Sequence, residues 1–137
     1  MVASMIGALG ESIVETEFLR HGVPVYKPQV DTGADLVVDI GGALQRVQVK
    51  SSSCTKREVK FCLGRRDNGR GKERHGWKSY EEGSVDWFAL VCLGHDYVAL
   101  VPAGQLNYEL TFDPVLSSRL AEMEIGAVIE RLTEEKE

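Results

Sequence analysis

The chain has 137 residues, of which 43% are hydrophobic, and its formal net charge is −5. This length and hydrophobic content fit one globular domain with a single core over residues 1–137, and they argue against a second domain. No window approaches the ~20 apolar residues that a transmembrane helix requires, and no basic leader precedes an apolar stretch at the start. We therefore expect a cytoplasmic protein without a membrane partner.

The cysteines argue against two classes of protein, those stabilised by disulfides and those that bind zinc. Cys54, Cys62 and Cys92 are odd in number and lack CxxC spacing, so the sequence indicates neither a disulfide framework nor a zinc site. We expect reduced thiols.

The first predicted element is a helix over residues 6–21, with Ser4 available as its cap and Gly22 placed to end it. Its predicted apolar face consists of Ile6, Leu9, Ile13 and Val14. Glu11 and Glu15 fall on a stripe beside this face. A solvated stripe is one interpretation of these glutamates; the other is that Glu11 reaches over the edge of a sheet.

A β-hairpin is predicted next along the chain. A short strand over residues 23–27 ends at Pro28, and a turn at Asp31 and Gly33 leads to two alternating runs, 35–40 and 43–50, joined by Gly41-Gly42. A two-residue turn of the primed type pairs residue 40 with residue 43. Counting back along both strands then places Asp35 opposite Gln48.

The polar face of this hairpin carries the strongest chemical signal in the chain. Directly opposed residues have Cβ atoms roughly 4.5–5.5 Å apart, and Lys50 points to the same face as Gln48. A carboxylate, an amide oxygen and an ammonium group therefore converge, whereas Asp39 lies at the rim beside the turn. Oxygen ligands on rigid strands suit Mg²⁺, and a metal with a lysine beside it suits phosphodiester hydrolysis. An ordinary hairpin with a polar outer face is the alternative.

Charge is segregated in the second third of the chain. Residues 56–78 contain nine basic and three acidic residues, so this part carries +6 and the rest of the chain −11. We call residues 54–80 the basic segment; after a strand through Val59, Phe61 and Leu63 it is glycine-rich, and we predict a mobile loop. A basic patch on an acidic body is typical of a protein that binds a polyanion locally, although a solvated tether is the alternative. The predicted DNA contacts are Lys56, Arg57, Lys60, Arg65, Arg66, Arg70, Lys72, Arg74 and Lys78.

The last third predicts a second hairpin and C-terminal helices. Residues 86–93 and 97–101 alternate as strands around Gly94-His95-Asp96, and Pro102 is expected to stop the pairing. From Pro114 onward, apolar residues recur at helical spacing. The last of these are Ile125, Val128, Ile129 and Leu132.

Three short motifs resemble the PD-(D/E)XK nuclease superfamily. They are Gly7-x-x-x-Glu11 on the first helix, Asp35, and Gln48-Val49-Lys50. Together with Gly10, Gly22, the run 35–39 and the segment 80–89, they are similar to the group I intron-associated PD-(D/E)XK endonucleases, and the resemblance extends to about Pro102. It implies an α/β (α+β) restriction-endonuclease-like core, in which a central mixed sheet carries an N-terminal helix and C-terminal helices.

The resemblance also implies roles for individual residues. Asp35 and Gln48 match metal ligands, the carbonyl of Val49 a third ligand, Glu11 an additional ligand or water-holding group, and Lys50 the catalytic lysine. Gln48 departs from the general pattern, because most members have Asp or Glu there. The site thus carries one fewer negative charge, as in the intron-associated group.

The leading hypothesis is therefore a Mg²⁺-dependent DNA endonuclease of homing or restriction-like type, in which Mn²⁺ can substitute for Mg²⁺. A Holliday-junction resolvase is one alternative, and a catalytically silent DNA-binding module of the same fold is another. Because one site attacks one phosphodiester at a time and duplex DNA has two antiparallel strands, we also expect a homodimer or a higher homo-oligomer.

Overall fold

The computed structural model describes residues 1–63, 65–66, 77–78, 84–105, 109–112 and 120–134. Its helices are α1 (Ala3–Arg20), α2 (Leu120–Met123) and α3 (Ile125–Glu134). Its strands are β1 (Val25–Tyr26), β2 (Leu36–Ile40), β3 (Ala43–Ser52), β4 (Val59–Cys62), β5 (Arg65–Arg66), β6 (Trp77–Lys78), β7 (Trp87–Cys92), β8 (Tyr97–Pro102) and β9 (Glu109–Phe112). No helix within these residues has the length and apolar character needed to cross a membrane.

Helix α1 begins earlier than predicted. Val2 is its N-cap and makes no side-chain capping hydrogen bond, so Ser4 lies within the first turn and the prediction that it caps the helix is wrong. The other end agrees with the sequence, because Gly22 adopts a φ of +75° and donates its N–H to the carbonyl of Leu19 at 3.0 Å. Glycine enters this left-handed conformation without the steric cost that other residues meet there.

The buried face of α1 also differs from the predicted one. Gly10, Val14 and Phe18, spaced four residues apart, are its buried residues, whereas Leu9 is 40% exposed. Residues four apart lie on one face of a helix. Glycine adds nothing to an apolar pattern, which is why the hydropathy alone favoured a face containing Leu9.

The main sheet has the strand order β1-β2-β3-β7-β8. β3 and β7 are parallel neighbours, while the other three pairs are antiparallel. The sheet is therefore mixed, with one helix before it in the chain and two after it. This architecture confirms the predicted fold class.

The first hairpin has the predicted register, with Ile40 opposite Ala43 and Leu36 opposite Val47. Both turn glycines have positive φ, +62° at Gly41 and +90° at Gly42, as a two-residue turn of the primed type requires. The Asp39 carboxylate accepts a hydrogen bond of 2.8 Å from the N–H of Gly42. Asp39 thus supports the turn.

The second hairpin pairs β7 with β8 from Trp87↔Pro102 to Cys92↔Tyr97. Pro102 is therefore the last paired residue of β8. The predicted strand ended at Val101, so the prediction that Pro102 stops the pairing is wrong by one residue. The connection between the strands is a 3₁₀ turn followed by Asp96 in the left-handed conformation.

The basic segment contains described strands. β4 pairs with β9, so that Val59 lies opposite Phe112, and β5 pairs with β6. The predicted strand through Val59 and Phe61 is thereby confirmed. Arg65 and Arg66 fall within the stretch 64–76 that was predicted as a mobile loop, but they form β5, so the prediction is wrong for these two residues. Residues 64 and 67–76 lie outside the described residues.

Buried side chains form a cluster on each face of the main sheet. One includes Val14 and Phe18 of α1 with Val47, Ala89 and Val91; the other includes Val59 and Phe61 of β4 with Phe88 and Leu90. Alternate residues of a strand point to opposite faces, so consecutive residues of β7 enter different clusters. In the C-terminal part of the chain, Ile125, Val128 and Ile129 pack in the first cluster.

Candidate active site

Asp35 extends the first hairpin by one residue beyond its last pair. Its backbone N–H donates to the carbonyl of Val47 at 2.9 Å, and its carboxylate accepts a hydrogen bond of 2.9 Å from the N–H of Val49. The strand that holds Asp35 so firmly is β3, which also carries Gln48 and Lys50. The acidic side chain is therefore fixed against the edge of that strand.

An open cleft of about 460 Å³ lies between the start of α1 and β3. It brings together Glu11, Asp35, Gln48 and Val49, which the sequence analysis assigned to the metal. The complete lining consists of Ala3, Ile6, Gly7, Glu11, Asp35, Gln48, Val49, Ser51, Ser52 and Ser53.

Burial raises the pKa of the Asp35 carboxyl above its ordinary value, and the charge of Asp31 adds to the rise. The hydrogen bond from Val49 and the charge of Lys50 lower the pKa, but they do not cancel the effect of burial. A raised pKa means that the folded protein favours the neutral form of the acid. A cation in the cleft would reverse that preference.

The pKa of Glu11 is also raised, first by burial and then by the charge of Asp35. The charge of Glu15 acts in the same direction, whereas Lys27 lowers the pKa. The ammonium group of Lys27 forms an ion pair of 3.5 Å with Glu15. Lys27 is thus a cation near the acidic end of the cleft that sequence reasoning did not single out.

Lys50 follows Gln48 by two residues in β3, so both side chains leave the same face of the strand. Its charge lowers the pKa of Asp35, so the ammonium group lies within electrostatic range of that carboxylate. Lys50 is not among the residues that line the cleft.

The oxygen atoms along the cleft fit a hard divalent cation. Two carboxylates and an amide are available as side-chain donors, and the carbonyl of Val49 points to the same edge of β3 as its N–H. Mg²⁺ takes such oxygen ligands and keeps several waters. No cluster of three or more His, Cys, Asp or Glu side chains able to hold a metal occurs in the described part of the chain.

Asp86 is a structural partner of β3 that the sequence did not indicate. Its carboxylate accepts the N–H of Arg46 at 2.7 Å and forms an ion pair of 3.5 Å with the Arg46 side chain, while its own N–H donates to the Arg46 carbonyl at 2.9 Å. Trp87 adds a hydrogen bond from its indole to Gln45. These contacts fix the start of β7 against β3, and no local pattern in the sequence indicates them.

The predicted DNA-binding residues fall into three groups. Lys56, Arg57 and Lys60 are exposed beside or within β4. Arg65, Arg66 and Lys78 belong to the β5–β6 ladder, in which residue 65 is opposite residue 78. The others, Arg70, Lys72 and Arg74, lie outside the described residues.

Comparison with known proteins gives a family and a fold. A family model described as PD-(D/E)XK endonuclease matches residues 1–127. Among solved structures, the bacterial homing endonuclease I-Ssp6803I has a TM-score of 0.69 at 17% sequence identity, covering 98% of this chain and 94% of that one. The Holliday junction resolvase Hjc from Archaeoglobus fulgidus has a TM-score of 0.53 at 14% identity, covering 90% and 95%. No curated protein matches.

Proposed function

The chain belongs to the PD-(D/E)XK endonuclease family, and we propose that it is a Mg²⁺-dependent endonuclease that hydrolyses phosphodiester bonds in double-stranded DNA. The observation that carries this proposal is the cleft in which Glu11, Asp35 and Gln48 meet. Burial raises the pKa of both acids. Acidic groups with perturbed pKa values in a cleft are typical of functional sites.

Asp35 and Gln48 are the proposed principal metal ligands, with the Val49 carbonyl and Glu11 completing the set. The hydrogen bond from the Val49 N–H holds the Asp35 carboxylate at the strand edge, so the ligand is oriented before the metal arrives. When bound, Mg²⁺ supplies Lewis acidity toward the phosphoryl oxygen and lowers the pKa of the attacking water. Mn²⁺ also accepts such oxygen ligands and can replace it.

Lys50 is the proposed catalytic lysine. Its charge already acts on Asp35, so the ammonium group would lie beside a phosphate bound at the metal. There it would offset the negative charge that develops at phosphorus in the transition state. Its proton would also hold the attacking water in line.

The basic segment is proposed to bind the DNA backbone around this site. Lys56 is exposed, and its carbonyl is hydrogen-bonded to His95 at 2.7 Å, so this end of the segment is attached to the β7–β8 turn. Lysine and arginine side chains on such a support can contact phosphates on either side of the cleaved bond.

A four-way DNA junction is the alternative substrate. The fold similarity to the archaeal junction resolvase covers 90% of the chain, and Lys50-Ser51 fits the motif spacing of such enzymes. A catalytically silent DNA-binding module is the second alternative, because Gln48 removes one negative charge from the metal site.

A cleavage assay separates these functions. Purified protein is incubated with supercoiled plasmid, a linear duplex, a synthetic four-way junction and single-stranded DNA, each with Mg²⁺ or with EDTA. We expect Mg²⁺-dependent cutting of the duplex substrates. Cutting of the junction alone would establish the resolvase, and DNA binding without cleavage in Mg²⁺ or Mn²⁺ would establish the silent module.

A further inference from the structure

Helix α1 and strand β3 approach each other closely at Gly10 and Ser51. Gly10 is buried within α1. A methyl group on Gly10 would overlap the Ser51 hydroxyl and would lie 3.0 Å from the Ser51 Cβ. By contrast, its 3.6 Å distance to Val91 would be an ordinary contact. The gap between helix and strand is therefore set by Ser51 against a residue that has no side chain.

Two local features at this contact are individually unfavourable. Glycine in a helix interior is less stable than alanine, and the buried Ser51 hydroxyl has no hydrogen-bond partner within the described residues. A buried hydroxyl without a partner has lost its hydrogen bonds to water and gained none in the protein, which lowers the stability of the fold. Local departures of this kind concentrate at functional sites.

Both residues are next to the site in sequence. Gly10 precedes Glu11, and Ser51 follows Lys50. Ser51 also lies on the same face of β3 as Val49, whose N–H holds Asp35. The contact thus joins the segment that carries one acid to the segment that fixes the other.

We propose that Gly10 and Ser51 are positioning residues, whose contact sets the separation between α1 and β3 and so holds Glu11 at the distance from Asp35 that a divalent cation requires. The proposal rests on the proposed function, because it assigns a purpose to the spacing of those ligands. A methyl group on Gly10 would push α1 outward and carry Glu11 away from the rest of the set.

If steric contact sets the gap, moving the volume from Ser51 to residue 10 should restore it. Gly10→Ala places a methyl group against Ser51, and Ser51→Gly in the same chain removes the atoms that it would meet. In the double variant the side-chain atoms that fill the contact belong to α1 and not to β3, so the distance between the helix and the strand is restored. Gly104→Ala is the matched control, since a methyl group there meets nothing within 4 Å.

The test measures Mn²⁺ affinity by calorimetry on the full chain without DNA, and the melting temperature of each variant by circular dichroism. We expect Gly10→Ala to weaken Mn²⁺ binding by about 10-fold or more, the range seen when supports of metal ligands are removed. The double variant should recover most of this loss, and the control should bind as the unmodified chain does. If Gly10→Ala does not fold, Ser51→Gly is compared with the double variant. Ser51→Gly leaves the gap between α1 and β3 unfilled, so it should bind Mn²⁺ more weakly than the double variant.

Three outcomes would overturn the inference. A folded Gly10→Ala variant with unchanged affinity would show that the contact does not position the ligands. The steric mechanism would be excluded if the double variant folded but bound Mn²⁺ no better than Gly10→Ala. The same holds for Ser51→Gly, where that variant is the reference. An unmodified chain without Mn²⁺ affinity would overturn the proposed function itself, and the positioning role with it.

Discussion

The carboxylate of Asp35 accepts a hydrogen bond of 2.9 Å from the backbone N–H of Val49. Together with the hydrogen bond from the Asp35 N–H to the Val47 carbonyl, this contact ties Asp35 to the strand that carries Gln48 and Lys50. Both partners are backbone groups of β3, so the strand itself orients the Asp35 carboxylate.

Asp35→Ala and Lys50→Ala should each reduce DNA cleavage by at least about 100-fold, because removal of one preorganised group that stabilises transition-state charge commonly costs 10²–10³ in rate. Circular dichroism should show an intact fold in both variants. Asp39→Asn is the matched control, since Asp39 contacts the turn and an amide oxygen can accept the same hydrogen bond. Full activity of either alanine variant would exclude the assigned site.

Gln48→Glu should bind Mg²⁺ more tightly than the unmodified chain, because it adds a carboxylate opposite Asp35 at nearly the same side-chain length. Calorimetry in the absence of DNA measures this directly. Weaker binding would mean that residue 48 is not a ligand. Gln45→Glu provides a control on the same strand, because its side chain binds the Trp87 indole and should leave Mg²⁺ affinity unchanged.

Asp35→Asn should stabilise the metal-free protein at neutral pH. The folded-state pKa of Asp35 is raised, so between the ordinary and the raised pKa the folded chain binds more protons than the unfolded chain, and stability falls as pH rises through this window. Asparagine removes this loss and still accepts the Val49 hydrogen bond. Melting curves in EDTA should therefore show a gain at pH 7 that disappears below about pH 3.9, the ordinary pKa of aspartate. A gain that persists at that acidic pH would have another cause.

Replacement of Arg65, Arg66, Arg70 and Arg74 by alanine should weaken DNA binding and flatten its salt dependence. Each phosphate contact contributes roughly 0.9 to the slope of log affinity against log salt concentration. Fluorescence anisotropy at several salt concentrations gives this slope. Arg20→Ala is the control. Arg20 is the last residue of α1, outside the basic segment, and it forms an ion pair with Glu17. An unchanged slope in the fourfold variant would show that these arginines do not contact the backbone.

We expect a homodimer or a higher homo-oligomer, since one site cuts one strand. Light scattering of the protein, both free and bound to DNA, tests this; a monomeric mass in both states together with nicking as the sole product would contradict it. Ile125, Val128 and Ile129 are buried in the chain's own core. These three side chains pack in the first cluster of buried residues, so a contact between copies would have to use other residues.

The first hairpin was predictable because its determinants are local. Gly41-Gly42 defines the turn, and strict alternation then fixes the face of each residue, so Asp35 and Gln48 could be placed by counting. The parallel pairing of β3 with β7 was not predictable in this way. It joins Val47 to Trp87, which are 40 residues apart, and no short-range pattern specifies a partner over that distance.

The errors at α1 have a common physical origin. The helix begins at Ala3 without a side-chain cap, so the capping residue that the prediction relied on does not mark its start. Its closest contact with the sheet is made by Gly10, a residue that gives no hydrophobic signal. Close packing of the helix backbone on the Ser51 side chain depends on the absence of a Cβ at residue 10, and a pattern of apolar side chains cannot predict it.

β3 and β7 are adjacent, and Asp86 and Arg46 bind each other where β7 begins. Because the two strands are parallel, the chain leaves β3 beside Cys92 and re-enters the sheet beside Val47, at the opposite end of the strand pair. A connection between parallel strands has to span the length of the pair. Val59 and Phe61 of this connection are also buried in the second cluster, so a replacement would have to keep both the span and these apolar contacts. We therefore expect target preference to vary through exposed residues such as Lys56 and Lys60, without a change in the proposed site on α1, β2 and β3.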